Sequence, residues 1–182
     1  ERELDEFIAR VPGAADALLA RGNLRIRQGA VADARTDAIA AIKAAPPSWA
    51  PTSRHSALLL QSDADLSDGR IAEARKGVEE LERSFPGSAG AQLVLARIAN
   101  LEGRDADAID ILERLLAVLP ANPRVQFLLV ESFLRSGNLA RATDILERRV
   151  ASVPGDVDAR RLLARLRLGQ SRPDQVVSLL GD

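Results

Sequence analysis

At 182 residues and 46% apolar content, the chain has enough material to bury a core, which excludes a compositionally disordered protein. Lys and Arg (25) nearly balance Asp and Glu (26) and the two signs are interspersed, so no basic face for nucleic acid is implied. The absence of Cys rules out disulfides and thiolate metal sites, and no apolar run approaches the roughly 18 residues of a membrane span.

Ala and Leu supply most of the apolar content, with few β-branched runs and few aromatics, which favours helices. The chain opens "ERELDEF", without Met, and Met is missing throughout, so it reads as an excised or processed piece of a longer protein. Residues 1–12 are taken as the second helix of a truncated repeat. Full helix–turn–helix units are predicted at 13–46, 53–86, 87–120 and 121–154. A degenerate last unit, 155–182, has Ser171 in place of the turn glycine and Val176 in place of a small alanine. Its end, "SLLGD", reads as a terminal helix or the cut edge of a longer array. About eleven helices are expected in all.

The anchors of this division recur at 34-residue intervals, from Pro12 to Pro46, from Pro86 to Pro120 to Pro154, and from Gly69 to Gly103 to Gly137. Five residues after each turn glycine stands an alanine: Ala34, Ala74, Ala108 and Ala142. The segments "ILERLLAVLP" and "ILERRVASVP" align almost letter for letter. Each anchor has a physical task. Glycine ends one helix in a tight turn, alanine lets the next helix approach closely, and proline stops it. One helix pair cannot bury its own apolar face, so the pairs must stack as a solenoid.

The rhythm breaks once. Gly29 and Gly69 are 40 residues apart, which places a six-residue insertion at 47–52, within "AAPPSWAPTSRHS". Pro47 and Pro51 are expected to stiffen it, and Ser53 to cap the following helix. Trp49, the only Trp, either folds back over the junction between units or projects as a contact for a partner. His55, the only His, is expected to be a solvated residue near a helix start.

Catalytic chemistry is not expected. One His and two Lys offer no evident nucleophile–base pair, and no phosphate-binding, dinucleotide or G-x-S-x-G motif occurs. "DADLSDG" (63–69) loosely suggests a calcium loop, but the Gly and the terminal Glu fall in the wrong places. Asp63 and Asp65 are instead placed within a helix, solvated or facing a groove. Asp105 and Asp107 are placed in a first helical turn, complementing its dipole. No cofactor and no metal is implied.

The Gly, Ala and Pro anchors resemble those of the tetratricopeptide repeat (TPR) family over essentially the whole chain. The family's small eighth position is filled by Gly22, Ser62, Ala96 and Ala164, while Val130 departs from it. Its fourth-position aromatics are replaced by Leu18, Leu58, Gln92 and Gln126. The resemblance implies an all-α solenoid of antiparallel helix pairs in a right-handed superhelix, with a concave groove lined by first helices. Carried across, the fifth positions are Leu19, Leu59, Leu93, Phe127 and Arg161, and the ninth are Asn23, Asp63, Arg97, Glu131 and Arg165. The twelfth are Ile26, Leu66, Asn100, Leu134 and Leu168. This implies a polar row of alternating charge flanked by apolar rows, fitted to a peptide or helix of a partner protein. Alternatively, some of these leucines simply pack between units. The basic residues of a carboxylate clamp are absent from the first three units.

The leading expectation is therefore a non-catalytic protein-binding scaffold. The 23 Arg against 2 Lys and the turns "GRIAEA" and "GNLARA" are similar to those of bacterial TPR proteins of exopolysaccharide export and PEP-CTERM sorting. That similarity favours a periplasmic or envelope-associated location over a cytoplasmic one. The alternative is a regulatory or targeting module cut from a larger multidomain enzyme. Self-association through exposed repeat ends is a further expectation.

Overall fold

Proline and glycine punctuate the chain. The computed structural model describes residues 1–11, 13–169 and 176, and among these there are ten α-helices and no strand. They are α1 (Arg2–Arg10), α2 (Ala15–Arg27), α3 (Val31–Ala44), α4 (Pro51–Ser67), α5 (Ile71–Ser84), α6 (Ala89–Leu101), α7 (Asp105–Val118), α8 (Pro123–Arg135), α9 (Leu139–Ser152) and α10 (Val157–Gly169). The readings of Ser171 and "SLLGD" lie outside the described residues, as does Pro12; Val176 is buried.

Helices α5, α7 and α9 each end two residues before a proline. The residue between, Phe85, Leu119 or Val153, leaves the helical region with φ near −130 to −140° and ψ of 58–77°. Proline's ring forbids helical ψ at the preceding residue, so the stop is local and inevitable. At the opposite end of each pair the turn glycines Gly29, Gly69, Gly103 and Gly137 have φ of 73–80°. Each lets the next residue's N–H reach back five residues, as Arg70 N to Asp65 O (2.8 Å) and Asn138 N to Phe133 O (2.7 Å). This closes the orphan carbonyls of the preceding helix.

The alanines five residues on are fully buried in every case, Ala34, Ala74, Ala108 and Ala142. The neighbouring contacts are as tight. A Cβ added to Gly22 would lie 2.9 Å from Leu60 and 3.2 Å from Asp37, and one on Gly77 would lie 2.3 Å from Ser62 Oγ.

The chain divides into two compact units, Glu1–Ile98 and the remainder from Ala99. In the first, Trp49 joins Leu18, Leu19, Ala38, Ala41, Ala57 and Leu60 in one buried cluster. A second cluster joins Leu58, Leu66 and Val78 to Leu81, Val94 and Ile98. In the second unit, α8 packs on α7 and α9, and α10 packs on α9. Leu112, Leu129, Phe133, Leu146 and Leu163 are essentially inaccessible there, each contributing roughly 2 kcal/mol of burial.

The insertion behaves differently from expectation. α4 starts at Pro51 and runs 17 residues against 13 for α2 and α8. Part of the added length is therefore helix rather than loop, and Ser53 lies inside the helix instead of capping it. Pro51 at the first helical turn explains this, since its fixed φ suits that position and no N–H is needed there.

Two buried carboxylates tie helices together. Asp37, 2% exposed, accepts from Arg21 Nη2 (2.7 Å), Arg21 Nε (3.0 Å) and Arg25 Nη1 (2.8 Å). Arg21 also reaches Asp5 on α1 (2.7 Å) and Arg25 reaches Glu1 (2.9 Å), so α1 is clamped to the first full pair. Asp37's hydrogen bonds hold the Arg21 guanidinium charged well above its ordinary range. Asp65 on α4 is likewise buried and pairs with Arg35 on α3.

Candidate interaction face

The first helices of the repeats carry the residues picked out by spacing, and the structure sorts them into buried and open. Leu19 and Leu93 are 8% and 7% exposed. They are core residues rather than groove lining, unlike the other fifth positions, of which Leu59 and Phe127 are half-buried and Arg161 is exposed. Leu59 is half-buried and covers Gly90, whose missing side chain makes room for it. Phe127 is half-buried with the Arg149 guanidinium 5.9 Å from its ring centre.

The ninth positions are more open. Asn23 is exposed, its amide turned back to donate to Leu19 O (3.0 Å). Arg97 Nη1 meets Asp63 Oδ1 at 2.6 Å, with side chains 24% and 17% exposed. These two residues stand one repeat apart, so successive ninth positions of the first unit share one face. In the second unit Glu131 on α8 and Arg161 and Arg165 on α10 are exposed. Glu131 lies one helical turn beyond Phe127, as Arg165 does beyond Arg161.

Trp49 does not project. Its side chain is 8% exposed and its indole Nε1 donates to Asp16 Oδ1 (2.7 Å) on α2. The inserted segment thus folds back over the first pair. His55 is not solvated either. Its Nε2 lies 2.7 Å from Ser88 Oγ, and its ring meets Phe85 edge-on at 5.1 Å. Ser88 Oγ in turn accepts from Ala91 N (3.2 Å), so this histidine braces the start of α6.

Spacing did not single out Asn100 with Ser132 as a pair. Both are buried, Ser132 Oγ donates to Asn100 Oδ1 (3.0 Å), and Asn100 Nδ2 has no partner. The polar character of two residues inside otherwise apolar helical faces was the available signal.

A second feature of the second unit lies between the second helices. α7 presents Glu113, Leu116 and Ala117, spaced i, i+3 and i+4, to a trough of about 1000 Å³, and Pro120 just beyond its end completes that wall. α9 faces it with Arg141, Ile145, Arg148 and Arg149, and Gln126 of α8 contributes to the lining. Arg149 is fixed by Asp156 (2.7 Å) and Gln126 (3.3 Å). The Asp156 carboxyl is held below its ordinary range, chiefly by the Ala159 N–H, with Arg149 adding to the effect against a desolvation cost.

Among the described residues there is no group of three or more His, Asp or Glu able to hold a metal, and no helix is long and apolar enough to cross a membrane. A tetratricopeptide repeat model matches residues 65–129 and 99–166, and a second such model matches 1–48. No curated protein sequence matches the chain. Solved structures do. A thermophilic TPR protein of Thermus thermophilus, TTC0263, is 20% identical, with a TM-score of 0.73 over 91% of this chain and 88% of its own. MamA of Desulfovibrio magneticus RS-1 is 14% identical, with a TM-score of 0.66 over 92% and 91%. YrrB, described as a TPR protein with an unusual peptide-binding site, is 14% identical, with a TM-score of 0.60 over 98% and 93%. At these identities the likeness is one of fold.

Proposed function

The chain belongs to the tetratricopeptide repeat family, and on that premise we propose that it is a non-catalytic scaffold holding a partner's peptide or helix against its first helices. The observation that carries this reading is the Asp63–Arg97 contact. It puts ninth positions of successive repeats on one face while both side chains keep open surface for a ligand. The half-buried Leu59 and Phe127 supply apolar anchors within each unit, and Asn23, Glu131, Arg161 and Arg165 supply polar register. The peptide-binding site named for YrrB supports the same kind of use. As setting we propose a bacterial envelope or exopolysaccharide-secretion assembly, on the strength of the "GRIAEA" and "GNLARA" turns.

The test is selection of displayed random peptides on the chain, followed by affinity measurement on one variant per unit, Arg97→Glu and Glu131→Arg. Loss of about tenfold in at least one variant is expected, since both reverse a charge on the face. Selected peptides that bind both variants within about twofold of the parent would overturn the groove reading.

A further inference from the structure

The α7–α9 trough belongs to the second helices, and the first-helix reading leaves it unused. Along α9 it runs from Arg141 to Ser152, about 16 Å at helical rise, or three turns. Short loops make adjacent helices antiparallel, so α7 and α9 run parallel and offer two ridged walls to a third helix. The lining includes apolar side chains, the buried Ile145, the half-buried Leu116 and the exposed Val153. Val153 keeps 41% of its surface open, so an apolar side chain of an occupant can reach it from solvent.

Charge then selects the occupant. The lining holds three arginines, Arg141, Arg148 and Arg149, and one acid, Glu113, while Asp144 and Asp156 pair with Arg148 and Arg149 from outside it. Glu113 is itself paired with Arg141 across the trough. The Arg141 guanidinium is stacked over Phe133 at 4.5 Å, and Arg149 is held by Asp156 and Gln126, so both cations are positioned in advance. Arg148 is the most open of the three, with 69% of its side chain exposed, and bonds the exposed Asp144 one turn back, at its carboxylate and its backbone carbonyl. Such a pair holds a guanidinium weakly and leaves donors for a second carboxylate. Arg141 and Arg148 stand about two turns apart, roughly 10 Å along α9.

We propose that this trough docks an amphipathic helix of a partner protein whose apolar face is flanked by carboxylates about two turns apart. Apolar side chains at i, i+3, i+4 and i+7 enter between α7 and α9, and the carboxylates meet Arg141 and Arg148 at the rim. The site is independent of the first-helix face, so one array holds two partners or two segments of one partner.

The test uses the whole chain and a labelled Leu/Ala/Glu peptide of roughly 14 residues, with Leu at i, i+3, i+4 and i+7 and Glu two turns apart. Its counterpart carries Lys in place of each Glu. Fluorescence anisotropy is expected to show at least about tenfold tighter binding of the acidic peptide. Ala117→Glu and Arg148→Glu, both at exposed positions, are each expected to weaken it by about tenfold with the helical circular dichroism and melting unchanged. Arg97→Glu in the first unit should leave it unaltered, which separates this site from the first-helix face. Absence of binding up to about 1 mM, equal binding of both peptides, or retention in both variants overturns the proposal. So does concentration-dependent dimerisation that Ala117→Glu abolishes, because the occupant would then be a second copy of the chain.

Discussion

Replacing Trp49 by alanine should weaken the first unit more than any other single truncation in the inserted segment. Trp49 is 8% exposed and belongs to the buried cluster of Leu18, Leu19, Ala38, Ala41, Ala57 and Leu60. An aromatic of this size buries up to about 250 Å², which at about 25 cal/mol per Å² is an upper estimate near 6 kcal/mol. Measured truncations of large aromatics cost about 3–5 kcal/mol, and the lower half of that range fits a site at the edge of the array. Trp49→Phe separates the contributions. It keeps most of the apolar area and loses only the Nε1–Asp16 bond, and since Asp16 is exposed and can be resolvated, about 1 kcal/mol is expected. Urea unfolding followed by circular dichroism gives both values, and Trp49, the only Trp, reports its own environment by fluorescence in the parent chain. Blue-shifted emission protected from acrylamide is expected. Emission like that of free indole, or a cost below about 1 kcal/mol for Trp49→Ala, would refute the packing argument.

Three further outcomes follow from the backbone and the buried charges. Gly69→Ala should cost about 1–2 kcal/mol in urea unfolding, because φ of +75° strains any L side chain, whereas Gly155→Ala, with open space around it and no positive φ, should stay within about 0.5 kcal/mol. Asp65→Asn removes the acid from a pair with one member wholly buried and should cost about 3 kcal/mol; a loss under about 1 kcal/mol would show that Arg35 relaxes to solvent. Asp156 has a lowered folded pKa, so the unfolded chain binds more protons between the folded value and the ordinary 3.8. Its contribution is complete above the ordinary value and lost as pH falls through the folded one. Asp156→Asn should therefore flatten the acid limb of a stability–pH profile, and a limb unchanged by the substitution would contradict the assignment.

The helices and their repeat were legible in the residues alone because their causes are local. Proline acts on the residue before it, glycine on its own φ, and alanine through its small volume, so the 34-residue spacing carried over into turns at Gly29, Gly69, Gly103 and Gly137. The candidate face was legible only in part. Spacing named Asp63 and Arg97 and the structure brings them together, but the same spacing named Leu19 and Leu93, which the neighbouring helices bury. Period alone places a side chain on a helix face and says nothing about how closely the next helix approaches that face.

What tertiary structure decided is of one kind: contacts about one repeat apart in sequence. Trp49 meets Asp16 across 33 residues, His55 meets Ser88 across 33, and Arg35 meets Asp65 across 30. Each of these pairs is separated by nearly a full repeat, so no local pattern encodes them. The α7–α9 trough arises in the same way, its two walls each regular in sequence and facing one another only once α8 between them has packed.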